Sequence, residues 1–451
     1  MSIQPPWGAV PKNGRPPVIV VHAITGSALV DEYPLPAEVV WDLSLRLTHP
    51  VPSRDFLRIA PHPDDTRFEA VEPARIQSSQ ILNIIYGDLV EALRYDLSER
   101  QEPTPVFPFH YDWRQDNTLT AKQLGDFIRE VIERTNLLKH YGRSCGCVDL
   151  VGHSMGGLVI AACLGLGHHL ENGKRLVRRV VTLATPFRGS VDALEKVSTG
   201  ESTLVGLGSN RERETARITP AIYQLLPSYE QGFVRDAKPI NIYDAGNWQS
   251  TIIDSLREFI RAYSTEPDLA GLSNEALLGQ GRGLLQNLLT MGPALHDLVE
   301  ALNPEEALLD SWRLLVGIDS STLYQATTEG PDNRFRFERI EGDFDPDKLS
   351  DSQREKLGDE TVPLRGAIPS WAEPAKVICV RGDDFSALEI RDRFIREAVG
   401  LHASLPLMNL VQRWVISFLR GTKTGDLWGR PLPGVTRWDP GFPGVVNKAA
   451  R

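Results

Sequence analysis

The sequence predicts an α/β fold, with a mostly parallel sheet covered by helices on both faces and a mainly helical cap inserted partway along the chain. Three observations carry this. Short β-branched runs alternate with segments of helical period. A G-x-S-x-G pentapeptide is wedged between two apolar runs in "VDLVGHSMGGLVI" (148–160). From about 190 to 310 helical stripes follow one another without convincing strands between them.

The strand candidates, in order, are "PVIVV" (17–21), "VFPFH" (106–110), "VDLV" (148–151), "VVTLA" (180–184), "RLLVGI" (313–318) and "KVICV" (376–380). Between the second and third, Leu124, Phe127, Ile128, Val131 and Ile132 recur at spacings of three and four, which is one face of a helix. Strand, helix, strand is the rhythm of a parallel sheet, and ligands are expected at the carboxyl ends of its strands. In the insertion, Ile252, Leu256, Phe259 and Tyr263 form one stripe and Leu284, Leu285, Leu288 and Leu289 another; "PINIY" (239–243) is the one strand candidate. The polar, Gly/Asp-rich segment 327–356 reads as a long surface excursion. The expected division is a core over 1–190 and 311–451, with the cap over 191–310.

The chain has 451 residues, and its formal charge is 49 − 59 = −10. A phosphate backbone gains little from such a surface, so nucleic acid is not an expected partner. The first residues, "MSIQPPWGAVPKNGRPP", lack the basic start and apolar segment of a secretory signal. No run of about 18 apolar residues offers a membrane span. Cys145, Cys147, Cys163 and Cys379 are too scattered for a disulfide framework and suit a reducing cytoplasm. Cys145 and Cys147, one residue apart and without a second pair, read as buried structural residues, and no metal or cofactor is expected.

The pentapeptide Gly152-His153-Ser154-Met155-Gly156 follows an apolar strand and opens an apolar helix, the context of a nucleophile elbow. Gly152 and Gly156 supply the missing Cβ atoms that so tight a turn needs. A serine hydroxyl requires a base oriented by a carboxylate, here in the order serine, acid, histidine. His402 follows the last strand and is preferred to His296, which falls in the cap. Asp359, in the turn "LGDETVPLR" (357–365), is preferred to Asp383 and Asp384, which follow "KVICV". Oxyanion donors are expected from the N–H of Met155 and from the loop "VVHAITGSAL" (20–29), with Ile24 as its candidate. His168-His169 reads as a solvated helix-end pair, since adjacent helical residues point about 100° apart.

These residues resemble the lecithin:cholesterol acyltransferase-like family of α/β-hydrolases, which includes lipases, phospholipases and acyltransferases. "HAITGSAL" (22–29) is similar to its oxyanion loop, although His22-Ala23 stands where the family usually has Pro-Gly. "YDWR" (111–114), "GHSMGG" (152–157), "LATPFRGS" (183–190), "LLPS" (225–228) and "GDETVP" (358–363) are similar to its further landmarks. The resemblance implies the α/β-hydrolase fold and lipid-like ester substrates. It also implies a structural role for "YDWR", with Asp112 and Arg114 tying a loop and Trp113 packing. The cap's leucine stripes are expected either to line or gate an acyl pocket, with transient contact to a lipid surface, or to be ordinary helix packing. The expected reaction is ester hydrolysis through an acyl-enzyme. Transfer of the acyl group to an alcohol, or a silent scaffold that only binds, are the alternatives.

Overall fold

The computed structural model describes residues 15–32, 35–42, 76–99, 101–201, 210–263, 271–302, 311–342, 345, 348–386 and 388–448. All six expected strand runs form strands of one sheet: β1 (Val18–Val21), β2 (Val106–Phe109), β3 (Val148–His153), β4 (Val177–Leu183), β5 (Trp312–Gly317) and β6 (Ile378–Val380). Their spatial order is β6-β5-β4-β3-β1-β2, and every pair is parallel. The strands are apolar almost throughout because helices cover both faces. In β1 the pleat divides the burden. Ile19 and Val21 pack toward α2 (Asn117–Thr135) and α3 (Met155–Gly165). Val18 and Val20 pack toward α1 (Asn83–Leu97) and the last long helix, Asn409–Arg420.

The chain reverses its direction of travel across the sheet between β1 and β3. In such sheets the carboxyl ends of the strands beside this reversal are the usual ligand position.

Between β4 and β5 two long helices dominate, α4 (Ser250–Tyr263) and α5 (Asn274–Glu300). Both leucine-type stripes are spent on packing: Ile252, Leu256, Leu284, Leu285, Leu288 and Leu289 are buried and Phe259 is half-buried. The side chain of Tyr263 lies outside the described residues. Gly281 permits the close crossing, since a Cβ there would sit 2.9 Å from Ile253 O and 3.0 Å from Arg257 N.

The structure departs from the sequence reading in its smaller sheets. The segment Phe233–Arg235 is a strand; it pairs in parallel with Gln325–Glu329, which forms a hairpin with Arg334–Glu338. The expected surface excursion thus begins as a sheet shared with the insertion. "PINIY" contributes only Pro239, in the two-residue strand Lys238–Pro239. The loop after β1 becomes a strand, Ser27–Asp31, paired antiparallel with Glu38–Trp41 and Ile76–Ile81. Among the described residues no helix is long and apolar enough to cross a membrane.

Candidate active site

Ser154 lies where β3 turns into α3, with φ 52° and ψ −124°. A side chain rarely adopts such a backbone, and the surroundings hold it there. The Ser154 N–H donates to Leu183 O at 2.8 Å. The glycines explain how closely the turn is packed. A Cβ at Gly156 would be 2.3 Å from Val21 O, one at Gly152 would be 2.9 Å from Gly157 N, and one at Gly157 would overlap Thr185 Oγ1. The elbow is thereby pressed onto the end of β1, whose Val21 is in register with Gly152.

Asp359 returns to the sheet after the hairpin. Ser320 and Gly358 exchange backbone hydrogen bonds of 3.0 and 3.1 Å just beyond β5. Gly317, the last residue of β5, leaves room for the acid, because a Cβ there would lie 2.6 Å from Asp359 Cβ. One carboxylate oxygen, Oδ1, accepts the N–H groups of Thr361 and Val362 at 3.2 and 2.7 Å. The other, Oδ2, faces His402 Nδ1 at 2.8 Å.

His402 is carried by α6 (Ile390–Ser404), which is kinked at Gly400 with φ 82°. Two bonds from the acid turn hold it: His402 N–H to Asp359 O at 3.0 Å and Leu401 N–H to Glu360 Oε2 at 3.0 Å. Its Nε2 is 2.8 Å from Ser154 Oγ. Ser154, Asp359 and His402 are 2%, 1% and 6% exposed, so this line of hydrogen bonds is sheltered from water. With Nδ1–H donated to the carboxylate, Nε2 offers its lone pair to the hydroxyl hydrogen, the arrangement that lets an imidazole take a proton from a serine.

The rejected alternatives lie elsewhere. His296, on α5, is buried between the carbonyls of Phe187 and Leu226 at 3.3 and 3.1 Å. Asp384 is buried against Arg430, Lys448 and Trp428 Nε1, closing the C-terminal segment. Asp383 is exposed. His168 and His169 are not the solvated pair expected: His169 is buried, because the chain turns back at the helix end and Leu176 N–H bonds to its carbonyl at 2.8 Å. Among the described residues no group of three potential metal ligands occurs. All four cysteines are free and buried.

The loop after β1 has a fixed shape without Pro-Gly. His22 is fully buried and stacks on Tyr111 at 4.0 Å, with Nδ1 2.6 Å from Ala23 O and Nε2 accepting the Tyr111 N–H at 3.3 Å. Burial pushes its pKa down to about 3. The Ala23 N–H donates to Tyr86 Oη at 2.9 Å, so the next N–H, that of Ile24, is the loop's candidate donor. "YDWR" has the expected structural part: Arg114 grips Asp112 at 2.6 and 2.8 Å, and Trp113 Nε1 donates to Ser27 O at 3.2 Å.

Sequence reasoning missed Tyr86, His153, Glu360 and Gly317. Gly317 had a readable signal, a glycine ending an apolar strand run; Tyr86 had none, since it lies on a helix from another part of the chain.

Of the solved structures, that of the Tle4–Tli4 complex shares this fold at 15% identity and TM-score 0.54, covering 78% of this chain and 88% of that one. The mature form of Bacillus licheniformis lipase BlEst2 aligns at 14% identity and TM-score 0.26, covering 70% and 74%. No curated protein matches the chain. With its parallel sheet, flanking helices and strand-turn-helix elbow, the chain has the α/β-hydrolase fold, and its residues 66–271 match the lecithin:cholesterol acyltransferase family.

Proposed function

We propose that the protein is a serine hydrolase of carboxylic esters, lipid-like in substrate. The observation that carries the reading is the buried line Ser154 Oγ, His402 and Asp359, with both contacts at 2.8 Å, on a turn whose backbone is strained to present the hydroxyl. In this reading His402 takes the proton as Ser154 Oγ attacks the ester carbonyl. Asp359 holds the tautomer and steadies the imidazolium. The N–H groups of Met155 and Ile24 receive the oxyanion, near the positive end of α3. Collapse expels the alcohol, which takes the proton from His402, and leaves an acyl-enzyme that water then cleaves. The lipid-like substrate rests on the family match. The four free, buried cysteines support a reducing, cytoplasmic setting.

The family match also supports a second reading in which an alcohol replaces water as the acyl acceptor. Both are tested together. Esters of increasing acyl length are incubated with wild type and Ser154→Ala, in the presence of candidate alcohols, and label is followed into free acid and new ester. Hydrolysis predicts mainly free acid, and label appearing faster in new ester selects transfer. Unchanged turnover in Ser154→Ala, or a folded wild type that a fluorophosphonate does not label at Ser154, rejects the nucleophile.

A further inference from the structure

Behind the Ser154 line runs a second line of hydrogen bonds that none of the roles above uses. Tyr86, on α1, and His153, the last residue of β3, are both buried. Tyr86 Oη accepts the Ala23 N–H at 2.9 Å and lies 2.9 Å from His153 Nδ1. At the other edge of the ring, His153 Nε2 is 3.0 Å from the carbonyl oxygen of His402.

The hydrogens fit in one way. A carbonyl can only accept, so His153 Nε2 carries the proton and Nδ1 presents a lone pair. The single hydroxyl hydrogen of Tyr86 fills that lone pair, and the phenol oxygen remains free to accept from Ala23. Every buried polar atom of the line is then satisfied. The line runs from the Ala23 N–H through Tyr86 and His153 to the backbone of His402.

Its ends are two parts that must keep register with Ser154: the peptide preceding Ile24, and the main chain of the base. One of its two middle residues, His153, is bonded covalently to Ser154. We propose that Tyr86 and His153 are positioning residues, which hold the Ile24 N–H donor and the His402 imidazole in fixed relation to the Ser154 hydroxyl. This rests on the reading of Ser154 as nucleophile. Burial pushes His153 down to about 3 and the Tyr86 phenol above its ordinary range, so both stay neutral at working pH. Neutrality serves the site twice. Nδ1 stays open for Tyr86, and no second cation sits beside the His402 ring, whose centre is 5.4 Å away.

The test compares Tyr86→Phe, His153→Leu, His153→Gln and the double variant Tyr86→Phe/His153→Leu with wild type. Tyr86→Phe deletes one oxygen and keeps the ring. His153→Gln keeps an amide N–H for the His402 carbonyl. The readouts are kcat, KM, and the second-order rate of Ser154 labelling by a fluorophosphonate, in protein shown to be folded by circular dichroism. The expected result is a loss of at least about tenfold in kcat and labelling rate for Tyr86→Phe and His153→Leu, with KM within about twofold. His153→Gln recovers most of the loss, and the double variant is no worse than the worse single, because one line is broken once. If Tyr86→Phe keeps kcat and labelling within twofold while wild type labels normally, the positioning role is wrong and the nucleophile reading stands. A double variant that loses the product of the two single effects also overturns the shared line. Should His153→Leu not fold, Tyr86→Phe decides alone. Absence of labelling in folded wild type rejects the nucleophile, and this inference with it.

Discussion

Gly317→Ala offers a test of how the acid is seated. The added Cβ would lie 2.6 Å from Asp359 Cβ. Carbon atoms rest at about 3.5 Å or more, so one side must retreat by about 0.9 Å. Gly317 is in register with Val380 of β6 and is not among the residues with positive φ, so alanine suits its backbone and the strand stays. Asp359, in a turn, is the part that yields. Movement along the line to His402 would stretch the 2.8 Å contact to about 3.7 Å, past the range of a hydrogen bond. A displacement of about 1 Å costs on the order of 100-fold in rate, and complete loss of the orienting acid on the order of 10⁴-fold. The expected outcome is a kcat about 100-fold lower with KM nearly unchanged, since Asp359 touches the imidazole and not the substrate. Overpacking should cost about 1–3 kcal/mol of stability, visible in a melt but leaving the protein folded. The assay is steady-state cleavage of a chromogenic short-chain ester per mole of folded protein. Retention of kcat within threefold would refute the seating of the acid on this glycine.

Three further outcomes are expected. Glu360→Ala leaves the buried Leu401 N–H without its carboxylate and should lower stability by about 1–3 kcal/mol together with kcat, whereas Glu360→Gln keeps a carbonyl acceptor and should restore both; equal melts and rates for the two variants would contradict the role. His22 and His153, held at about 3 by burial, take up protons at about 6.5 when unfolded. Their effect is absent above pH 6.5 and removes stability as pH falls from there toward 3, by about 1 kcal/mol per unit for each histidine; urea midpoints that do not fall between pH 6.5 and 4.5 would contradict it. On α5, Gly283 has no atom within 4 Å of a built Cβ, whereas Gly281 meets the backbone of α4, so Gly283→Ala should stabilise by about 1 kcal/mol and Gly281→Ala destabilise by a similar amount. Thermal melts that rank the two variants in the opposite order would show the helix crossing to be looser than described.

The parts legible in the sequence were those in which local pattern and global position agree. Strands buried on both faces read as largely apolar runs, and all six of the main sheet could be found that way. Ser154 stood out by its glycine-flanked pentapeptide between two such runs, Asp359 by its tight turn and His402 by its place after the last strand, in the chain order serine, acid, histidine, and the structure brings all three within hydrogen-bond reach. Short strands partnered from afar were invisible. Phe233–Arg235 is too short to show alternation, and its partner Gln325–Glu329 lies far along the chain. "RFRFE" (334–338) does alternate, with Phe335 buried between exposed arginines, but its polar flanks masked the signal. Tyr86 illustrates the deeper limit. Its hydroxyl matters through two partners on other elements, and nothing in its own neighbourhood of sequence announces them.

The backbone at Ser154 has one more consequence. At φ 52° and ψ −124°, glycine would sit with less strain than any residue bearing a side chain, by about 1–3 kcal/mol. An inert Ser154→Gly copy should therefore outlast the native protein on heating. Stability by itself would drift this position toward glycine, so whatever retains a hydroxyl here is a demand other than folding.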